Sequence, residues 1–313
     1  MPPGPAKVYV GTSGWSYEDW RGVVYPAAER GRRFDELAYL AEFLDAVEVN
    51  TSFYRPPRPD YTLSWLRRTA FKPDFLFTFK LWQRFTHERE ERWTPGEVDL
   101  YRAGVTPVAE AGRLGAVLAQ FPWSFRFTEP NLDWLTQVTG AFQEFPLVVE
   151  VRHATWIGEE GLSALRQLGV SFCNIDQPVT RQSVPPGTFL TGPIGYVRLH
   201  GRNREAWFDK QADRDERYNY LYTDDELVEW INRIGQMSQE TDQVYVFTNN
   251  HYRGQAPANA LQVISELRGG PVRVPEMLAR TYPFLERIAL REPEKPPARP
   301  PAPERRGRQK RLF

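Results

Sequence analysis

Cysteine is almost absent. The 313 residues contain one, Cys173, which excludes an intrachain disulfide framework. Its surroundings, Val170-Ser171-Phe172-Cys173-Asn174-Ile175, are an apolar run in which a buried, inert thiol is expected rather than a nucleophile. Histidine is scarce, with four residues, and neither His-x-His nor His-Glu-x-x-His occurs. No stretch approaches the roughly 18 consecutive apolar residues of a membrane span, and Met1-Pro2-Pro3-Gly4-Pro5-Ala6 has no apolar signal region. Net charge is missing too. Lys+Arg and Asp+Glu stand at 40 each, so no global field points to nucleic acid or membrane. A soluble, cytoplasmic protein with no membrane partner is expected.

What is present is a large core and a repeating rhythm. Hydrophobic residues make up 41% and aromatics 14%, enough for one large domain. Strand-like runs occur at 7–14 (KVYVGTSG), 46–54 (AVEVNTSFY), 75–82 (FLFTFKLW), 114–122 (LGAVLAQFP), 147–152 (LVVEVR), 171–176 (SFCNID), 194–201 (IGYVRLHG) and 243–250 (QVYVFTNN). Helical spacing fills most gaps, at 34–44, 61–69, 98–112 (interrupted near Pro107), 132–142, 159–168, 224–238 and 258–267. Alternating β and α in about eight units argues for a parallel sheet closed into a single (β/α)8 TIM barrel over 7–290. An open doubly wound sheet would favour a Gly-rich first turn, of which Gly11-Thr12-Ser13-Gly14 is a weak version. Residues 1–6 are expected to be disordered. So is the tail 291–313, which holds six prolines and eight basic residues.

Most of the strands end in polar side chains, and the run at 147–156 shows this best. Side chains alternate along a strand, so Val148, Glu150 and Arg152 share one face, and Val149 and Val151 the other. A carboxylate and a guanidinium on a buried face are costly unless they pair or serve a ligand. In a TIM barrel catalytic groups gather at the C-terminal strand ends. Here those positions hold Glu48, Asn50, Lys80, Gln120, Glu150, Arg152, Asp176, Arg198, His200, Asn249 and Asn250.

Several ordered motifs carry a resemblance: GTSGWSY at 11–17, VEVNTSFYRPP at 47–57, FTFK at 77–80, Thr86-His87, QFPWSF at 120–125, VEVRHATW at 149–156, YVRLHGRN at 196–203 and FTNNHYRGQAPANA at 247–260. Together they resemble the YecE-like proteins, the "domain of unknown function 72" family, over about residues 7–270. The resemblance implies a TIM barrel and no particular reaction, since the family's activity is not established. A likeness to the AP-endonuclease group of barrels rests on fold alone. The tail lies outside the family pattern.

Glu48 and Glu150 suit a general acid/base pair, with Asp176 and His200 as further catalytic candidates. The plainer alternative is an ion-pair network, Glu150–Arg198 or Glu48–Lys80, holding strand ends. Lys80, Arg152, Arg198 and His200, with Asn249, Asn250 and the Arg202 loop, suit a phosphate or carboxylate ligand. Asn50, Tyr54, His87 and Gln120 complete that substrate set. Lys80 would form a Schiff base only if its pKa were depressed. A divalent metal on Glu48, Glu150, Asp176, His200 and His87 is conceivable, although nearby Lys and Arg oppose a cation, and its identity stays open.

The loop after residue 201 interleaves Arg202, Arg204, Lys210, Arg214 and Arg217 with Trp207, Phe208, Tyr218, Tyr220 and Tyr222. Such a pattern suits either a lid or a nucleic-acid strand, contacted through Arg204, Trp207, Tyr218 and Tyr220. The terminal Gln309-Lys310-Arg311-Leu312-Phe313 has the form Q-x-x-L-F, resembling peptides that dock on sliding clamps through Gln309, Leu312 and Phe313. The sequence therefore suggests a DNA-processing enzyme, a nuclease or lesion-acting hydrolase, with DNA and a sliding clamp as partners. The alternatives are a small-molecule isomerase or lyase acting on a phosphorylated sugar, a glycosidase, and a non-catalytic DNA- or clamp-binding module.

Overall fold

Runs rich in Val, Phe and Tyr, broken by Gly and Pro, become eight short strands: β1 (Lys7–Ser13), β2 (Ala46–Val49), β3 (Leu76–Lys80), β4 (Leu114–Gln120), β5 (Leu147–Glu150), β6 (Ser171–Asp176), β7 (Ile194–Leu199) and β8 (Gln243–Thr248). The computed structural model describes residues 5–26, 34–209 and 211–290, without the side chains of Phe208 and Arg214. Every neighbouring pair is parallel, and β8 closes on β1 with Gly11 beside Phe247. The TIM barrel expected from the β/α rhythm is the fold.

The helices are α1 (Glu36–Ala41), α2 (Pro59–Arg68), α3 (Gln83–Thr86), α4 (Pro95–Glu110), α5 (Glu129–Ala141), α6 (Glu159–Gln167), α7 (Arg204–Phe208), α8 (Arg214–Arg217), α9 (Asp224–Ser238), α10 (Gln255–Arg268) and α11 (Glu276–Thr281). Outward-facing strand residues pack on them in two buried layers. Val47, Phe77, Val117 and Val149 meet Val105, Leu135 and Leu165 on one side. Val10, Val197 and Val246 meet Leu227, Trp230 and Ile264 on the other. Inside the barrel, Ala46, Leu118, Val148, Cys173, Tyr196 and Tyr245 form a separate plug. Each large apolar side chain so buried contributes about 1.5–3 kcal/mol. Cys173 is fully buried and reduced, and burial pushes its thiol up, as its apolar surroundings suggest.

The sequence overextends several strands. β2 stops at Val49, because Asn50 turns into helical backbone and Thr51–Phe53 forms one 3-10 turn. The Ser52 hydroxyl pins that turn by donating to the Val49 carbonyl and to the Lys80 carbonyl, each at 2.7 Å. α4 is unbroken through Pro107, which sits in its last turns, and a Thr94–Glu97 capping box starts it. The capping pattern at Thr223 is likewise formed, with Glu226 at the third position of α9.

Residues 1–4 and 291–313 lie outside the described residues, and with them the Gln309, Leu312 and Phe313 motif. Among the described residues no helix is long and apolar enough to cross a membrane.

Gly11 marks the tightest strand contact, since a Cβ there would be driven into the Ala46 carbonyl of its partner strand. Gly11→Ala is expected to cost at least about 1–3 kcal/mol by forcing β1 and β2 apart. Urea unfolding midpoints, compared with Gly140→Ala at an open helical site, measure it.

Candidate active site

The strand ends place four polar side chains at one level. β2 contributes Glu48, β5 Glu150 and β7 Arg198, with Ser13 from β1, and all four are at most 1% exposed. Arg198 lies between the two carboxylates. Its Nη2 donates to Glu48 Oε1 at 2.7 Å and its Nη1 to Glu150 Oε2 at 2.6 Å. The same guanidinium reaches Ser13 Oγ at 3.1 Å and Gln120 Oε1 at 3.3 Å. Ser13 Oγ also donates to Glu48, and Tyr196 Oη donates to Glu48 Oε2 at 2.9 Å. Arg152, just past β5, donates through Nε to Glu150 Oε1 at 2.9 Å.

These contacts set the protonation states. Burial alone would raise Glu150, but Arg198, and after it Arg152, hold its carboxyl well below the usual carboxylate range. A carboxylate held this way has no proton to donate near neutral pH. His200 is fully buried, with Asn249 Nδ2 2.8 Å from its Nδ1 and Glu150 3.8 Å from its Nε2. Burial, then Arg198, keep that imidazole well below the usual histidine range, hence neutral.

Lys80 is different. It ends β3 on the same inward parity as Thr78, and its backbone carbonyl accepts from Ser52 and from Tyr101 Oη at 2.9 Å. Its ammonium lies 5.9 Å from the Phe53 ring centroid. Among the described residues no carboxylate stands within ion-pair distance of it, so of the two ion pairs in the plainer alternative Glu48–Lys80 is absent and Glu150–Arg198 is formed. The physical reason is competition: Arg198 occupies both carboxylates. Burial, with Arg198 close by, brings the Lys80 ammonium down to about 7.

Lys80 opens into a cleft of about 740 Å³ above the ends of β1, β2, β3 and β8. Trp15, Tyr17, Phe53, Tyr54, Tyr61, Trp65 and Tyr218 line its walls, and Asn50, Asn249 and His251 add polar groups. Tyr54 is 66% exposed at the rim. His87 meets Phe53 edge to face, ring centroids 4.9 Å apart. Burial, then Arg152 and Arg89, bring it down to about 4.

Other sequence candidates lie elsewhere. Asp176 was expected at the mouth, but it faces the helix layer, where Trp230 Nε1 donates to it at 2.9 Å and Arg202 Nε at 3.0 Å. Arg202 also pairs with Glu226 and is not a spare cation. Asn250 likewise points outward, donating to the Tyr220 carbonyl and to Asn259. The reason is strand parity: Cys173, Ile175 and Phe247 take the inward positions, leaving Asp176 and Asn250 outward.

The expected nucleic-acid loop folds largely onto the barrel. Tyr222 is buried and accepts from Gly201 N, and Tyr220 Oη donates to Glu226. Trp207 and Tyr218 meet edge to face at 5.8 Å, and both approach the His200 ring. Arg204 is exposed. No group of three or more His, Cys, Asp and Glu side chains among the described residues converges to hold a metal. Arg198 stands between Glu48 and Glu150, where a cation bridging the two would sit.

Sequence reasoning overlooked Ser13 as a partner of Glu48, and the aromatic wall of Trp15, Tyr17 and Phe53. The GTSGWSY motif after β1 was the available signal, since a polar, aromatic loop at a strand's C-terminal end faces the mouth.

Eight parallel strands with this polar cluster at their C-terminal ends make the protein a TIM barrel of the mouth-site type. The chain belongs to the family described as "Protein of unknown function DUF72", whose model matches residues 9–281. It is 27% identical over 273 residues to the UPF0759 protein YunF of Bacillus subtilis (strain 168), covering 83% of this chain and 94% of YunF. The UPF0759 protein YecE of Escherichia coli (strain K12) is 27% identical over 252 residues, covering 70% and 87%. A crystal structure of a DUF72 family protein from Thermotoga maritima superposes with a TM-score of 0.74 at 35% identity, covering 84% of this chain and 99% of that one. One from Enterococcus faecalis gives a TM-score of 0.72 at 24% identity, covering 83% and 95%.

Arg198→Met is expected to strand two buried carboxylates and cost about 3–5 kcal/mol. Arg58→Ala, at an exposed pair with Asp60, is expected to stay within ~1 kcal/mol. Chemical unfolding of both variants makes the comparison. Because Glu150 is held low, its share of stability is present above the ordinary carboxylate range and lost as pH falls below it. Glu150→Gln should therefore flatten the acid limb of the stability–pH curve.

Proposed function

We propose that the barrel mouth is the active site of an enzyme acting on a small polar ligand of sugar-phosphate size, an isomerase or lyase in reaction type. The observation that carries this reading is Lys80: a half-buried amine with no carboxylate partner among the described residues, at the edge of a cleft of about 740 Å³. That volume lies in the ordinary range for small-molecule sites, about 300–1,000 Å³. The Asn50 and Asn249 amides suit hydroxyl groups, and the aromatic walls suit the C–H faces of a sugar. On the β3–β5 side, next to the cleft, burial and then Arg152 and Arg89 lower His87, which favours an anionic group there. In this reading Glu48, Arg198 and Glu150 are a rigid charged floor beside Lys80 and His200.

DNA processing with recruitment to a sliding clamp is the second reading. Its support is the Gln309, Leu312 and Phe313 motif in the basic tail, with exposed Arg204 on the loop after β7. The inward packing of Trp207, Tyr218, Tyr220 and Tyr222 favours a lid over a strand-gripping surface.

Thermal shift with paired phosphorylated and unphosphorylated sugars separates the readings. A bound ligand at 100 times its Kd is worth about 2.7 kcal/mol, so the phosphorylated member should raise Tm. Arg152→Gln should reduce the difference. Cleavage of nicked, flapped or abasic DNA, with no shift from any sugar phosphate, overturns the first reading. For the second, deleting residues 309–313 should abolish capture on a sliding clamp; unchanged capture removes the recruitment role.

A further inference from the structure

We propose that Lys80 is a covalent catalyst, forming an imine with the carbonyl carbon of an aldehyde or ketone substrate held in the mouth cleft. The inference rests on the small-molecule reading above and adds the reacting group and the substrate class.

The described lysines make a natural comparison. Lys7 starts β1 and pairs with Asp74 at 3.7 Å; Lys72 precedes β3, donating to the Leu44 carbonyl at 2.7 Å with Asp45 at 4.0 Å. Both sit at the N-terminal end of the barrel, away from the mouth. Lys80 stands at the opposite end and lines the cleft. Its backbone is held by the Ser52 and Tyr101 hydroxyls, so the side chain projects from a fixed point.

The surroundings suit an amine nucleophile. The two nearby carboxylates, Glu48 and Glu150, are both claimed by Arg198, which removes the ion pair that would hold an ammonium protonated. The Phe53 ring stands over the amine at 5.9 Å. With burial and Arg198 bringing the group down to about 7, much of it is neutral at physiological pH, as amine catalysis requires. Once the imine is protonated, its positive charge replaces that of the ammonium. Glu48 and Glu150 then lie close enough to favour it without contacting it.

The step balances without a further reactant. The Nζ lone pair forms the N–C bond as the carbonyl π pair moves onto oxygen. Both amine protons pass to that oxygen through solvent, which leaves as water, and C=N remains. Proton loss from the adjacent carbon, or cleavage of the adjacent C–C bond, would then deliver electrons into the protonated imine. That is the chemistry shared by isomerases and lyases of carbonyl compounds.

The test is borohydride trapping on the full chain, with glyceraldehyde 3-phosphate, dihydroxyacetone phosphate, glycolaldehyde and pyruvate as probes. Borohydride adds hydride to the imine carbon and leaves a stable secondary amine, which peptide mass mapping locates. The expected result is one dominant adduct at Lys80, with little labelling of Lys7 and Lys72, which sit beside Asp74 and Asp45 away from the cleft. Adduct yield should rise with pH through about 7 and then level off. Lys80→Arg should lose the adduct while keeping the Tm and circular dichroism of the parent. Equal labelling at Lys7, Lys72 and Lys80 overturns the proposal. So does the absence of an adduct with a probe that raises Tm, an outcome that leaves the small-molecule reading standing. Neither a Tm shift nor an adduct with any probe overturns both.

Discussion

The barrel depends on a single guanidinium. Arg198 is completely buried, and it is tolerable there because Glu48 and Glu150 meet it from opposite sides, with Ser13 and Gln120 accepting further contacts. Two carboxylates and one arginine taken from water would each be costly alone. Together they hold three strands, β2, β5 and β7, at one height across the barrel. The cluster also decides what the remaining groups are: Glu150 is an anion near neutral pH, His200 a neutral imidazole, and Lys80 an amine with no carboxylate partner among the described residues.

This changes the meaning of a ring of polar residues. Glu48 and Glu150 read most simply as an acid/base pair, yet both are spent on Arg198. The lysine at the end of β3, Lys80, is left outside that network. A buried ion cluster of this kind is weak evidence for stability in itself. Its value here is geometric, since it sets a cation beside Lys80 and keeps the nearest carboxylates from neutralising it. The cleft above supplies the other half, with aromatic walls, the Asn50 and Asn249 amides, and Glu18, Asp19, Arg55 and Asp215 also in its lining.

How far the site was legible depends on the strand. Along β5 and β7 the run of apolar residues closing in Glu150, Arg198 and His200 shows by simple alternation that these share a face. All three strands are buried throughout, because a barrel strand is covered on both sides, but β6 differs in that its polar residues, Ser171, Asn174 and Asp176, fall on both parities. Hydrophobicity then carries no parity signal, and Asp176 could only be assigned once Cys173 and Ile175 were seen to face inward. The same holds for Asn250 beside Phe247. The loop after β7 was ambiguous for a related reason, since aromatics that stack on bases and aromatics that seal a lid have one composition. Their partners, Gly201 for Tyr222 and Glu226 for Tyr220, are what distinguish them.

The chain's own pattern thus determined the eight strands, their alternation with helices, the barrel they close, and the polar character of the strand ends. Those are local properties, set by side-chain periodicity and turn chemistry within windows of about ten residues. The tertiary structure alone decided that Arg198 would reach Glu48, 150 residues away, and Glu150, 48 residues away. It also decided that Lys80 would be left over. Such contacts run across the barrel rather than along it, so they follow from how the sheet closes, which no local pattern encodes.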